Sequence, residues 1–163
     1  RRAGETFLRR FALMSEIVTN SKARRDYHIL DTYEAGLVLR GSEVKSVRAG
    51  KVQIADAFAK VERGQVWLHN AHIEEYVFAT HEVHAPKAPR KLLLNKPEIR
   101  KLAELANVKG NSLVPLSLYW KGDRVKLLLA ICKGKVEYDK RQDIRKREDE
   151  REMRRASAPL LRK

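Results

Sequence analysis

The sequence predicts a mainly β fold with some α structure: a small closed antiparallel barrel with about three helices packed around it, followed by a charged C-terminal tail. Between residues 27 and 132, short runs rich in β-branched and aromatic residues alternate with turn-forming residues. Many short strands joined by turns are typical of a sandwich or a small barrel. We expect an N-terminal extension over residues 1–26, a domain over residues 27–132 and a tail over residues 133–163.

The charge of the chain indicates a polyanionic partner. Against 35 Lys and Arg residues stand 21 Asp and Glu residues, which leaves a net charge of +14 and a pI near 10.1. Such an excess favours nucleic acid over an anionic membrane, because no basic amphipathic helix with an aromatic face is visible. Among small barrels, the oligonucleotide-binding type agrees best with a basic chain of this size.

The compartment follows from the cysteine count and the absence of long apolar runs. The single cysteine, Cys132, lies in the apolar run LLLAICK and is expected to be a buried structural thiol. A chain without disulfides fits a reducing cytoplasm, and no apolar run could span a bilayer. Residues 1–13 make a poor signal peptide, and we expect them to be an extension placed before a natural start at Met14.

The first elements follow from local patterns. Residues 14–26 are polar and basic and are expected to form a flexible lead-in. The run YHILDTYEAGLVL, residues 27–39, reads as one or two strands. A short helix is expected next, with Ser42 as its N-cap and Gly50 as its end.

Two hairpins and one firm helix complete the domain. DAFAKVE and QVWLHNAHI flank the tight turn Arg63-Gly64, and a long loop is expected over residues 76–90. A helix begins after Asn95, with Glu98 in the capping-box position. SLVPLSLYW and RVKLLLAI then form a second hairpin around residues 121–123.

The tail segment VEYDKRQDIRKREDEREMRR, residues 136–155, reads as a helix with almost no apolar face. Such a helix bridges solvent, docks on a charged partner or is unstable. Opposite charges four residues apart give only a few tenths of a kcal/mol per pair, too little to hold it without packing. We therefore expect a tail that is disordered in the free protein and becomes helical when it docks on a charged partner.

Basic residues cluster along the chain and predict an RNA-binding surface, with Tyr27, Tyr33, Trp67 and Tyr119 as stacking candidates. The alternative is that the lysines only keep the surface soluble and that these aromatic residues belong to the core. The basic candidates are Lys22, Arg24, Arg25, Lys45, Arg48, Lys51, Arg90, Lys91, Lys133 and Lys135.

Catalytic and metal motifs are weak. His69 and His72, and His81 and His84, could supply ring nitrogens to zinc, but no cysteine or acidic pair has ligand spacing. No nucleophile motif and no glycine-rich phosphate loop is present. The residues nominate neither an enzyme nor a cofactor.

Four motifs in order carry a specific resemblance: YEAGLVLRGSEVKSVRAGK (33–51), RKLLLN (90–95), LYWK (118–121) and KGKVEYDKRQDI (133–144). From about Asn20 onward the chain resembles the small protein B family, the bacterial partner of transfer-messenger RNA (tmRNA, also called SsrA RNA). The resemblance implies an oligonucleotide-binding barrel that binds the tRNA-like domain of tmRNA. Such a protein delivers alanyl-tmRNA to stalled ribosomes, together with elongation factor Tu and GTP, and we expect a monomer.

The resemblance also implies roles for individual residues. Glu34, Leu93 and Asn95 match positions tied to tmRNA binding, although Leu93 could be only core and Asn95 only a helix cap. Arg25 and His28 depart from the His and Phe expected in the family. The ribosome-acting segment would comprise Lys133, Gly134, Lys135, Tyr138, Asp139, Lys140, Arg141, Arg145 and Arg147.

The competing interpretation is a basic ribosomal or ribosome-assembly protein with the same type of barrel and a charged extension. A third is a metal-dependent hydrolase that acts on RNA through the histidine pairs. Composition and strand pattern alone do not separate these functions from the first; the four motifs favour the tmRNA-binding protein.

Overall fold

Three long strands dominate the computed structural model, which describes residues 15–81 and 83–157. Nine strands and four helices occur within those residues. In chain order they are β1 (Ser15–Thr19), α1 (Ser21–Asp26), β2 (Tyr27–Leu37), α2 (Gly41–Arg48), β3 (Val52–Gln53), β4 (Phe58–Glu62), β5 (Gln65–His69), β6 (His72–Ile73), β7 (Arg90–Leu93), α3 (Lys96–Ala106), β8 (Asn111–Lys121), β9 (Arg124–Gly134) and α4 (Glu137–Ser157).

Six strands pair antiparallel in an order that closes on itself. The ring runs β8–β4–β5–β7–β2–β9 and returns to β8 through the hairpin between β8 and β9. The junction of β4 with β8 is narrow, with Ala59 opposite Leu113. A β-bulge beside Pro115 bends β8, which allows the same strand to pair with β1 farther along, where Val18 lies opposite Leu118. The fold is thus mainly β, as predicted.

Alternation along the strands places one core inside this ring. Ala35, Leu127 and Leu129 are fully buried there, and Leu102 of α3 packs against the same cluster. A second, smaller cluster lies on the outer face of β8 and β9, where Ala23 of α1 is buried. The two faces of the β8–β9 hairpin are therefore both apolar, which explains why the run LLLAIC shows no alternation.

Both predicted hairpins are confirmed. Val61 lies opposite Val66 beside the Arg63-Gly64 turn, and Lys121 lies opposite Arg124. Arg63 and Gly64 both have positive φ, as a tight two-residue turn of this kind requires. The helix after Asn95 is also confirmed, because Glu98 accepts a hydrogen bond from the Asn95 backbone N–H at 3.0 Å.

The expectation of a flexible lead-in is wrong for residues 15–26, which form β1 and α1. Asn20 holds them in place: its side-chain oxygen accepts from the Ala23 N–H at 3.0 Å. Its amide nitrogen donates to the carbonyls of Ile54 and Pro115. A polar, basic stretch can be ordered when one buried amide is satisfied in this way. Four helices lie within residues 15–81 and 83–157, where about three were expected.

Ser42 is not the N-cap of the short helix. The N-cap lies two residues before Ser42, at Arg40, and helix α2 begins at Gly41. The Arg40 N–H donates to the Glu43 carboxylate at 2.8 Å. The buried Ser42 hydroxyl instead bonds to Nδ1 of His84 at 3.0 Å, and Nε2 of His84 donates to the Ile73 carbonyl. Ser42 therefore holds His84 against α2.

Leu129→Ala is predicted to lower the free energy of unfolding by about 2–5 kcal/mol, because its side chain is fully buried in the ring. Leu30→Ala, at a position 56% exposed on β2, should change it by less than about 0.5 kcal/mol. Urea denaturation measures both values. Equal losses in the two variants would contradict the placement of the core.

Candidate nucleic-acid interface

A small exposed patch forms on the outer face of the ring where β2, β7 and β9 lie side by side. Glu34 and Gly36 share this face of β2, and Ala35 between them points into the core. Leu93 of β7 lies opposite Gly36 on one side, and Lys126 of β9 lies opposite it on the other. We call Glu34, Leu93 and Lys126, together with the buried Gly36, the β2–β7 patch.

Glu34 is held by two donors from the neighbouring hairpin. The Tyr119 hydroxyl donates to Oε2 at 2.6 Å, and the Lys121 ammonium donates to Oε1 at 2.8 Å. Partial burial opposes the charged form of Glu34, but the hydrogen bonds from Lys121 and Tyr119 outweigh it, so the pKa of this carboxyl lies below its usual range. Glu34 is therefore ionised at neutral pH and fixed in orientation.

Leu93 lies flat over β2 because position 36 has no side chain. A Cβ at Gly36 would come within 3.2 Å of the Leu93 Cβ and 3.6 Å of the Lys126 ammonium. Leu93 is 53% exposed, so it is not a core residue. An apolar side chain held at the surface, across Gly36 from Lys126, offers contact to the face or edge of a nucleobase.

Asn95 follows two residues later, at the N-cap of α3, with an exposed side chain. The Glu98 carboxylate accepts from the backbone N–H of Asn95. Asn95 can therefore cap the helix and also contact RNA. The exposed side-chain amide offers both a donor and an acceptor to a base or a ribose hydroxyl.

The basic candidates fall into groups with different surroundings. Lys45 and Arg48 of α2 lie over the rings of Tyr76 and Trp120, at 5.1 and 5.8 Å from the ring centroids. Lys51 lies 3.9 Å from Glu74. Cations that rest on aromatic faces at an exposed site remain available to phosphate.

Near α1, Lys22 pairs with Asp56 at 2.9 Å, while Arg24 is exposed in the last turn of the helix. Arg25 approaches Asp26 at 3.5 Å. Lys91 is half-buried on β7. Helix α1, which carries Lys22, Arg24 and Arg25, packs along β8, away from the β2–β7 patch.

Arg90 is a structural residue, and its expected contact with RNA does not fit its surroundings. It is 3% exposed, and its Nε donates to Glu43 at 2.8 Å. Its remaining nitrogens donate to the carbonyls of Ala71, Ala85 and Pro86. This buried ion pair ties β7 to α2, so the guanidinium is not open to a phosphate.

Some of the candidates in the tail also have partners within the chain, whereas others are exposed. Lys133 and Gly134 end β9, whereas the Lys135 side chain is 7% exposed and pairs with Asp143. Asp139 bonds to His28 at 3.3 Å, and Lys140 lies 3.8 Å from Asp26. Among the candidates on α4, Arg141, Arg145 and Arg147 are exposed, and Tyr138 lies in the first turn of the helix.

The sequence reasoning missed the parts played by Lys121, Lys126 and the Tyr119 hydroxyl. All three come from the β8–β9 hairpin, and their proximity to Glu34 depends on the pairing of β2 with β9. The alternation of polar and apolar residues in RVK, residues 124–126, could have placed Lys126 on one face of a strand. It could not have placed Lys126 beside Glu34.

The histidines are dispersed. His69 stacks on Phe58 at 5.5 Å between ring centroids, and His84 is buried with Ser42. Among residues 15–81 and 83–157, no group of three or more His, Cys, Asp or Glu side chains could hold a metal ion. Nor does that part of the chain contain a helix with the length and apolar character needed to cross a membrane.

Comparison with known proteins identifies the family. The family model for the SmpB protein matches residues 17–158. The chain belongs to the SmpB family. An SsrA-binding protein of Thermobifida fusca is 56% identical over 140 residues, which cover 86% of this chain and 88% of the relative. One from Frankia casuarinae is 52% identical over the same shares of both chains.

A solved structure of an SmpB-family chain supports the same assignment. It comes from work described as "tmRNA-SmpB: a journey to the center of the bacterial ribosome". That chain is 42% identical and superposes with a TM-score of 0.63, over 78% of this chain and 94% of its own length. The family-model match over residues 17–158 includes β2, β7 and all of α4, and therefore the β2–β7 patch and the described tail helix.

Arg90→Met is predicted to lower the free energy of unfolding by about 3–5 kcal/mol, because it leaves the Glu43 carboxylate buried without its partner. Arg100→Met removes the same charge from an exposed position on α3 and should cost less than about 0.5 kcal/mol. Chemical denaturation measures both. Unchanged stability of Arg90→Met together with weaker RNA binding would show that Arg90 acts as an RNA ligand after all.

Proposed function

We propose that this protein is a non-enzymatic adaptor that binds the tRNA-like domain of tmRNA and delivers alanyl-tmRNA to stalled ribosomes for trans-translation. The observation that carries the proposal is the β2–β7 patch, where a fixed carboxylate, an exposed leucine and a lysine meet in a basic protein of the SmpB family. The names of the relatives, SsrA-binding proteins, support the same RNA.

Glu34 gives the patch its selectivity. A carboxylate repels phosphate, so it contributes to RNA binding only by accepting hydrogen bonds from base N–H groups or ribose hydroxyls. Tyr119 and Lys121 bind one oxygen each and leave lone pairs on both. Lys126, beside Leu93, supplies the charge that holds the adjacent phosphate. The patch thus combines recognition of a base with contact to the backbone.

The ring of six strands would be a barrel of the oligonucleotide-binding type. Its closed order, its short β4–β8 junction and the helix α3 packed against the core support this assignment. Within that fold, Lys22, Arg24, Lys45, Arg48, Lys51 and Lys91 would add phosphate contacts to those of the patch.

The tail would act on the ribosome. Beyond Asp143 the helix α4 is exposed, and its apolar residues Ile144 and Met153 are 44% and 71% exposed. We propose that this distal part is disordered in the free protein and folds along ribosomal RNA, with Arg145 and Arg147 contacting phosphates. Tyr138 would stack on a base of the decoding site.

Elongation factor Tu with GTP would join the delivery complex, and a monomer acting in the cytoplasm agrees with a task of this kind. The second candidate, a ribosomal or ribosome-assembly protein, shares the basic tail. Affinity purification separates them, because that candidate would recover ribosomal RNA without tmRNA.

Glu34→Ala is predicted to weaken tmRNA binding roughly tenfold or more, because hydrogen bonds to a charged group contribute about 1.5–3 kcal/mol. Binding to a random RNA should persist, since the basic residues remain and an acid has been removed. Filter binding at fixed salt measures both affinities. Glu104→Ala, the same change at an exposed position on α3, is the control. Equal losses on the two RNAs would contradict the assigned role of Glu34.

Truncation after Lys135 is predicted to leave tmRNA binding near normal and to abolish tagging of the nascent chain. The cut keeps β9 complete, because Gly134 lies opposite Tyr27 and the Lys135 N–H donates to the Asp26 carbonyl. Electrophoretic mobility shift and a reconstituted tagging assay give the two readouts. Loss of tmRNA binding in the truncated protein would place the tail inside the tmRNA interface.

A further inference from the structure

Residues that the family resemblance assigns to the ribosome make contacts within this chain instead. Asp139 and Lys140 lie in the first turn of α4, and both face the start of β2. His28 Nε2 lies 3.3 Å from the Asp139 carboxylate, and the Asp26 carboxylate lies 3.8 Å from the Lys140 ammonium. The Asp26 carbonyl also accepts from the Lys135 N–H at 2.9 Å.

A third contact, an ion pair, crosses from the end of β9 to the second turn of the helix. Lys135 directly follows β9, and its ammonium pairs with Asp143 while its side chain is 7% exposed. The hydrogen bond from Lys135 lowers the pKa of Asp143, which keeps the carboxylate charged at neutral pH. A nearly buried lysine with a partner inside the chain is not a free cation for RNA.

We propose that Lys135, Asp139 and Lys140 are positioning residues, which fix the direction in which α4 leaves the body through Asp143, His28 and Asp26. They would not bind ribosomal RNA themselves. This inference rests on the proposed function, because the direction of α4 matters only if the tail must reach a site on the ribosome.

The length of the helix explains why its root needs three contacts. When all 21 residues of α4 are helical, as proposed on the ribosome, the helix is roughly 30 Å long, so a rotation of about 20° at its root displaces its far end by about 10 Å. Exposed ion pairs contribute only about 0–1 kcal/mol each, and several contacts acting together are needed to hold one direction. His28 departs from the Phe expected in the family, so the contact with Asp139 is particular to chains with this residue.

Charge exchange tests the proposal. Asp26→Lys and Lys140→Asp should each reduce tagging roughly three- to fivefold, the effect that ion pairs of this kind carry. The double variant, with the charges exchanged, should restore tagging to near the wild-type rate. A lysine that binds ribosomal RNA cannot be replaced by an aspartate, so that role predicts no restoration. Lys109→Asp, the same change at an exposed position after α3, is the charge-matched control.

A distance measurement on the free protein gives a second readout. Spin labels at Asp123→Cys, in the β8–β9 turn, and Gln142→Cys, on α4, lie on the order of 30 Å apart along the β9 strand. Burial raises the pKa of the Cys132 thiol to about 11, so this residue should stay unlabelled at neutral pH. The distance distribution should be narrow in the wild type, broad in each single variant and narrow again in the double variant.

Three outcomes would overturn the proposal. The first is a double variant that tags no better than Lys140→Asp; the second is a distribution that is equally broad in all proteins. The third is an equal loss of tagging in Lys109→Asp. A wild-type protein that supports no tagging at all would instead refute the proposed function, and the distance measurement would still test the contacts at the root of α4.

Discussion

The antiparallel pairing of β2 with β9 is the constraint on which the rest of the structure depends. It runs from Tyr27 opposite Gly134 to Gly36 opposite Lys126. At about 3.3 Å per residue, the ladder keeps its two ends roughly 30 Å apart. The β2–β7 patch forms at one end and the tail leaves from the other. One pair of strands therefore sets the separation between the proposed tmRNA-binding surface and the segment that would act on the ribosome.

The same pairing decides which parts of the fold the sequence could predict. Hairpins such as β4–β5 join neighbours in the chain, so the turn Arg63-Gly64 and local alternation suffice to find them. The β2–β9 ladder joins residues about 100 positions apart, and no local pattern specifies such a partner. The order of α1 depends on Asn20, whose amide reaches the carbonyls of Ile54 and Pro115. A lead-in held by distant backbone groups cannot be told from a flexible one by composition.

The sequence likewise predicted only part of the candidate site. The family motifs located Glu34, Leu93 and Asn95, because motifs preserve residue types in order along the chain. They gave no information on Lys126, which reaches the patch only through the sheet. The pattern of charges predicted RNA contacts for Arg90 and Lys135, but the side chains of both residues are nearly buried. Basic residues are rarely buried without a partner, and their partners are visible only in the folded chain.

The central claim is that the two ends of the β2–β9 ladder meet different RNAs. It is tested most directly by placing a photo-crosslinking amino acid at Leu93 or at Arg145 in a ribosome stalled with tmRNA. The account predicts that position 93 cross-links to tmRNA and position 145 to ribosomal RNA. Cross-links from both positions to the same RNA, or in the reverse order, would contradict it.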